Sequence, residues 1–301
     1  MLMIPTYGKV YNLHNKLVGS ILDTPVQVQE KLDGSQMSWM NREGELIMQS
    51  RGTILDPFSP QKLFRPAMAT LQALMDAENL PEGIIFRGGA IAQPRHNVLT
   101  YGRVPEGGVI LFEGEHPGGS LMQHAALRNW GQQLGLEVVP QLAKGVFTLE
   151  SLQPYLEAES ILGGPVEGIV LKTLWRKDQL RDPHGKVLMA KLVGERFFET
   201  AVRPKRAPKA DPLETVAAQF STPRRWEKAL ERLRDAGELK GGSEDIGPLM
   251  REVSKDLSEE CEDELKEALW QTMRKPLLRA ATKPIAEWRL RGEGSQLPSN
   301  L

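Results

Sequence analysis

The stretch Val28-Gln29-Glu30-Lys31-Leu32-Asp33-Gly34-Ser35 puts a lysine two residues before an Asp-Gly pair, at the end of a strand-like run. An Asp-Gly pair after a strand is an ordinary hairpin corner, and a charged residue just before it is commonly a surface lysine and nothing more. The same lysine at an exposed strand end also has the setting of a nucleophilic amine. Segments further along the chain separate the two readings.

Ser50-Arg51-Gly52 comes soon after the lysine, Phe86-Arg87-Gly88-Gly89 and Ile110-Leu111-Phe112-Glu113 lie midway, and Glu167-Gly168-Ile169-Val170-Leu171-Lys172 and Ala190-Lys191 close the series. In this order the segments resemble the covalent nucleotidyltransferase superfamily of RNA ligases, DNA ligases and capping enzymes. Within it the chain is most similar to the phage-type, nick-sealing RNA ligases, whose Phe-Arg-Gly-Glu, Arg-His-Asn and Tyr-x-Arg-Val-Pro runs are approached by Phe86 to Gly89, Arg95 to Asn97 and Tyr101 to Pro105. Ordered motifs multiply improbabilities, so the series is far more specific than any one of its members.

Composition sets the frame around these motifs. The 301 residues are 40% hydrophobic and 26% charged, enough for one large or two modest domains with buried cores. A formal net charge of -1 gives no global attraction to nucleic acid, so any polyanion site must be a local concentration of Lys and Arg. The single Cys261 excludes an intramolecular disulfide and a multi-cysteine zinc site, and its helical spacing with Val253, Leu257 and Leu265 reads as a core position. No apolar run is long enough to span a bilayer and the Met-Leu-Met-Ile start is too short for a secretory signal, so the cytoplasm is the expected address.

Short β-rich runs at Val26 to Gln29, Gln36 to Met40, Leu46 to Gln49, Gly83 to Phe86, Val109 to Phe112, Gly168 to Leu171 and Lys186 to Leu192 predict strands. Helices are expected over the Leu63 to Met75 and Leu121 to Leu134 stripes and from Thr148 to Ala158. This is an α+β pattern, expected as an antiparallel-sheet nucleotidyltransferase (adenylation) domain over residues 1–202. The run Arg203-Pro-Lys-Arg-Ala-Pro-Lys has the composition of a basic linker, placed at 203–210. Beyond it Asp211-Pro212 and Thr222-Pro223 each read as an N-cap followed by proline, so a small all-helical domain is expected over 211–301. The acidic run from Glu259 to Glu267 reads as a solvated helix face.

The resemblance implies a reaction. Lys31 attacks the α-phosphorus of ATP and expels pyrophosphate, leaving AMP on the lysine; AMP then passes to an RNA 5′-phosphate, and a 3′-hydroxyl displaces it. A lysine must be neutral to attack, and neighbouring cations together with Mg2+ favour the neutral amine while stabilising phosphates. By the same resemblance Asp33 and Gly34 shape the turn after the nucleophile, Glu30 helps seat the adenine, and Arg51 contacts phosphate. Phe112 stacks on adenine, Glu167 places the metal, and Lys172 and Lys191 reach the nucleotide phosphates. The implied partner is RNA with 5′-phosphate and 3′-hydroxyl ends, with no membrane association. Arg95, His96 and Arg103 are further candidates to line the nucleotide or strand end, while His14, His116 and His124 read as turn or surface residues without metal-ligand spacing.

Two positions depart from the pattern. Gly89 stands where the family carries a glutamate that contacts the ribose, which leaves a water or Glu113 as a substitute, and Met189 stands where some relatives carry a lysine. Rival readings are therefore a ligase-like protein that binds nucleotide or RNA ends without sealing, and an ATP-dependent DNA ligase. The DNA ligase is disfavoured because the segment from Asp211 lacks the strands of an OB-fold. Arg224, Arg225, Lys228 and Arg232 are expected to contact the nucleic-acid backbone.

Overall fold

The structure is a computed structural model that describes residues 3–51, 53–95, 99–174, 180–194 and 211–290. The chain forms two compact units, Met1–Phe198 with Leu230–Leu239, and Glu199–Ala229 with Lys240–Leu301. The 203–210 linker expected from sequence lies outside the described residues.

In the first unit, β1 (Val10–Asn12), β2 (Val26–Lys31), β3 (Ser35–Arg42) and β4 (Glu45–Gln49) precede helix α1 (Arg65–Asp76). Then come β5 (Ile85–Ala90), β6 (Val109–Glu115), α2 (His124–Leu134), β7 (Glu137–Val138), β8 (Gln141–Gly145), α3 (Leu149–Leu156), β9 (Gly168–Thr173) and β10 (Met189–Val193). They build two five-stranded sheets, ordered β1-β10-β9-β2-β8 and β4-β3-β5-β6-β7. The ladders are antiparallel except β1 with β10 and β6 with β7. The α+β class with antiparallel-rich sheets and a helical C-terminal part is thus the one that forms.

Strand alternation divides each sheet into two chemical faces. In the first sheet Val26 and Val28 of β2, Ile169 and Leu171 of β9 and Ala190 and Leu192 of β10 fill a core with Leu152 of α3. The register pairs Gln29 with Val170 and Val170 with Lys191, so Gln29, Lys31, Lys172 and Lys191 share the opposite face. In the second sheet Met37, Trp39, Phe86 and Leu111 pack under Ala67 and Leu71 of α1 and Leu127 and Leu134 of α2. A third cluster, including Ile91, Leu99, Tyr101, Ile110 and Leu162 with Val193 against it, draws on residues from both sheets.

The β5–β6 ladder carries a bulge: Arg87 pairs with Glu113 and Gly88 with Leu111, leaving Phe112 unopposed. The extra residue flips the phase of the strand. Val109 and Leu111 face the helices, yet Glu113 emerges on the other side, and Gly114 faces Met122 and Leu127. The strand expected at Gly83 to Phe86 is displaced to Ile85–Ala90, because Gly83 adopts a left-handed φ of 74° and ends a turn. Gly88 and Gly89, beyond the end of the expected strand, lie inside β5. At Gly88 a Cβ would stand 2.7 Å from the Ile110 carbonyl oxygen, so the close pairing of the strands demands glycine.

The second unit is helical over its described residues. α4 (Pro212–Phe220) is capped by Asp211, which accepts from the Leu213 amide, and α5 (Pro223–Asp235), whose residues from Leu230 on count with the first unit, starts after Thr222, as the Asp-Pro and Thr-Pro pairs predict. α6 (Ile246–Glu260) and α7 (Glu262–Leu290) complete it, with Val216, Phe220 and Ala268 at the core and Leu257, Cys261 and Leu265 packed against them. Arg225 is fully buried in an ion pair with Asp256 and donates to the Phe220 carbonyl and the Cys261 sulfur. Lys228 pairs with Asp256 and Glu260, both at 3.1 Å. The expectation that Arg225 and Lys228 contact a nucleic-acid backbone is therefore overturned: both cations hold the helices together. Among the described residues no helix is long and apolar enough to cross a membrane.

Candidate active site

Lys31 ends β2, next to the turn that leads into β3. Its Nζ lies 2.6 Å from the carboxylate of Glu167, which stands one residue before β9; the lysine side chain is 24% exposed and the glutamate 10%. Burial raises the Glu167 pKa above the ordinary carboxylate value, against the opposing pull of Lys31 and with Asp33 adding to the rise; Lys191 is near enough to lower it. The two expected site residues thus meet in space, although 136 positions separate them in the chain.

Asp33 is buried, and its carboxylate accepts from the Leu99 amide at 2.8 Å, while its own amide donates to the Tyr101 hydroxyl at 2.7 Å. The aspartate after the lysine fastens the turn to the 99–101 segment. Gly34 is hemmed in by Ile91, whose Cγ1 would lie 3.0 Å from an added Cβ. The Glu30 side chain sits on the other face of β2 from Lys31. There it accepts from the Ser160 hydroxyl at 2.5 Å and the Ile161 amide at 3.1 Å, and burial lifts its pKa. Glu30 thereby anchors the segment before β9 to the lysine strand.

A second cluster adjoins the first across the two sheets. Lys172 donates to the Phe112 carbonyl at 2.8 Å and to the Glu113 carboxylate at 2.9 Å, and its Nζ lies 5.5 Å from the Phe112 ring centre. The bulge exposes Phe112 on this side of β6, half-buried, with the Tyr7 ring 5.6 Å away at 56°. Tyr7 donates to Glu113 at 3.3 Å, and burial beside that carboxylate pushes the phenol well above its usual range. Arg87, fully buried, pairs with Glu115 at 2.7 Å and donates to the Pro5 carbonyl at 3.0 Å, with its guanidinium over the Tyr7 ring. Sequence reading passed over Tyr7 and Arg87 as site residues. An aromatic in an N-terminal coil carries no periodic signal, and only the fold lays that segment against β5 and β6.

Gly89 faces the same side as Ile110, and an added Cβ would meet nothing closer than Ile110 Cγ2 at 3.9 Å. Glu113, the suggested substitute for the missing glutamate, is engaged by Lys172 and Tyr7. Arg51 is exposed in the turn after β4, where Ser50 and Thr53 are hydrogen-bonded at 2.8 Å; Gly52 lies outside the described residues. Arg103 forms a two-point ion pair with Glu137 at 2.8 and 2.6 Å and so is not the free strand-end contact expected of it. His96 and Asn97 lie outside the described residues, whereas His124 begins α2, half-buried, with Nε2 2.9 Å from the Val139 carbonyl oxygen. Among the described residues no three His, Cys, Asp or Glu side chains gather as a metal cage.

Two sheets joined by Lys172 and Glu113, with a strand-end lysine on one of them, make a nucleotidyltransferase-type fold. A family model described as RNA ligase matches residues 24–193, more than half of the 301. The chain belongs to the RNA ligase family. Among solved structures it is similar to Naegleria gruberi RNA ligase in a lysine-to-alanine variant with ATP and Mn, at 18% identity and a TM-score of 0.49, covering 64% of this chain and 58% of that one. The same ligase with PPi matches at 16% identity and a TM-score of 0.46, covering 64% and 57%, and a lysine-to-methionine variant with AMP and Mn at 17% and 0.47, covering 64% and 57%. The chain thus spans under three fifths of the length of these solved ligases. No curated protein matches it.

Proposed function

We propose that this chain is an ATP-dependent RNA ligase that joins 5′-phosphate and 3′-hydroxyl ends through a lysyl-AMP. The observation that supports it is Lys31 at 2.6 Å from Glu167, on a sheet face shared with Lys172 and Lys191. The Lys31 amine forms a bond to the α-phosphorus of ATP as the bond to the β-phosphate oxygen breaks; pyrophosphate leaves, and the amine gives up a proton. The carboxylate next to it keeps the amine oriented, and Lys191, Lys172 and Arg51 supply fixed positive charge for the phosphates, which is where the barrier to phosphoryl transfer is lowered. AMP then passes to the RNA 5′-phosphate, and the 3′-hydroxyl attacks that phosphorus as AMP departs.

Mg2+ would be held by Glu167. One carboxylate in a partly open site, completed by substrate phosphates and water, is the habitual magnesium arrangement, and beyond its ion pair with Lys31 the buried Glu167 Oε2 makes no hydrogen bond. When bound, the ion neutralises phosphate charge. Phe112, presented by the bulge, is the surface for the adenine, with Tyr7 setting its tilt.

The test is incubation with ATP labelled at the α-phosphate and Mg2+, followed by denaturation. Label should remain on the wild-type chain and vanish in Lys31→Ala with an unchanged circular dichroism spectrum. Label of equal strength in the alanine variant would sink the mechanism. Gly89 favours a second reading, a binder of nucleotide or RNA ends that does not seal; it requires a wild-type chain that binds ATP yet never retains label.

A further inference from the structure

We propose that a cavity of the first unit, beside α2, is a subsite for one nucleotide of the RNA strand, holding its phosphate on Arg128; this rests on the RNA ligase reading. The cavity measures about 430 Å3, within the range of small-ligand sites. One row of α2 at a spacing of four supplies His124, Arg128 and Gln132; Leu136 and Val138 give an apolar wall, and Gln141 of β8 closes the opposite side.

The lining has the polarity of a nucleotide. Among the described residues no carboxylate lines the cavity to repel an anion, and none pairs with Arg128. A guanidinium left free in a concavity suits a phosphate, which it can grip with two parallel hydrogen bonds. The amides of Gln132 and Gln141 make no hydrogen bond within the described residues and offer both a donor and an acceptor. His124 donates from Nε2 to the Val139 carbonyl, so its Nδ1 is an acceptor when the ring is neutral. Burial, with the charges of Arg128 and Lys172 acting in the same direction, lowers the pKa of that ring. An acceptor beside a phosphate grip recognises a ribose hydroxyl, the group that separates RNA from DNA.

The cavity also lies where the strand would run. Gln141 is the register partner of Gln29, two residues before Lys31 on the same face of β2. Two strand residues and one interstrand step put it on the order of 8 Å from the nucleophile, measured between backbones. Gln29 Nε2 is itself buried without a partner, a donor left unsatisfied beside this strand pair.

The experiment measures equilibrium binding of a nicked, 5′-phosphorylated RNA duplex and of its DNA counterpart to the full chain, with AMP self-labelling measured in parallel. Arg128 is exposed, so Arg128→Glu leaves the core alone. It should weaken RNA binding by tenfold or more and reduce the salt slope of binding by about one ion, with self-labelling unchanged within twofold. His124→Phe should narrow the preference for RNA over DNA. RNA affinity unchanged in Arg128→Glu overturns the proposal, and so does a loss of self-labelling equal to the loss of RNA binding, since the cavity would then belong to the ATP site. A wild-type chain that never self-labels refutes the ligase reading by itself, while the comparison of RNA affinities still decides the role of Arg128.

Discussion

Gly89→Glu probes the point where this chain parts from its family. Gly89 lies inside β5, buried, and an ideal Cβ there has 3.9 Å to its nearest neighbour, so the backbone admits a Cβ without displacement. Replacing a mid-strand glycine also lowers the entropy of the unfolded chain, an effect of about 0.5–1 kcal/mol in favour of folding. Against that stands the cost of a carboxylate on a buried strand before nucleotide binds. A hydrogen bond from a ribose hydroxyl to a charged acceptor contributes about 1.5–3 kcal/mol, which corresponds to roughly tenfold to a hundredfold. The variant should therefore self-adenylylate faster at subsaturating ATP by about that factor, with the gain in kcat/KM. The assay compares rates of label incorporation across ATP concentrations for the two proteins, with thermal melts run alongside. A variant that melts normally and labels no faster than wild type refutes the idea of a lost ribose contact.

Gly88→Ala should behave oppositely to its neighbour: a Cβ 2.7 Å from the Ile110 carbonyl forces β5 and β6 apart, and a loss of about 1–3 kcal/mol should show in chemical denaturation. Burial raises the Glu167 pKa, so this carboxyl holds its proton at a pH where an ordinary carboxylate has lost it. The acid limb of kcat/KM for self-labelling should accordingly lie above the ordinary carboxylate range, and Glu167→Gln should abolish that limb together with most of the activity. Asp256→Ala strands the buried Arg225 and should cost about 3–5 kcal/mol in the helical unit, read as a lowered melting transition. Removal of residues 211–301 should impair strand joining more than self-adenylylation, measured side by side on a nicked RNA.

The lysine strand was legible because chemistry and periodicity agree there: Val26 and Val28 point one way and Lys31 the other; the Asp-Gly after them, expected as a hairpin corner, instead carries the chain from one sheet to the other. Glu167 and Lys172 were legible by order along the chain, and the fold pairs the first with Lys31 and the second with Glu113. β7 and β8 were not. Glu137–Val138 is too short to show alternation, and Gln141–Gly145 mixes lysine, alanine and glycine on an edge strand. The roles of Arg225 and Arg103 were hidden for another reason. A surface cation and a paired one read identically in a sequence, and only Asp256 and Glu137, brought in from distant positions, tell them apart.

The unopposed Phe112 bears on how this domain can change over generations. Because the bulge shifts the count by one, Phe112 and Glu113 come to the same side of β6, where plain alternation would part them. Deleting a single residue between Val109 and Phe112 would restore plain alternation, keep the carboxylate on its side of the sheet and turn Phe112 toward the helices. Point substitutions in this strand can be absorbed one at a time, but a length change parts the aromatic from the carboxylate and the lysine. Insertions and deletions should accumulate in the exposed turns, such as Gly118–Gly119, and be purged from the seven residues of β6.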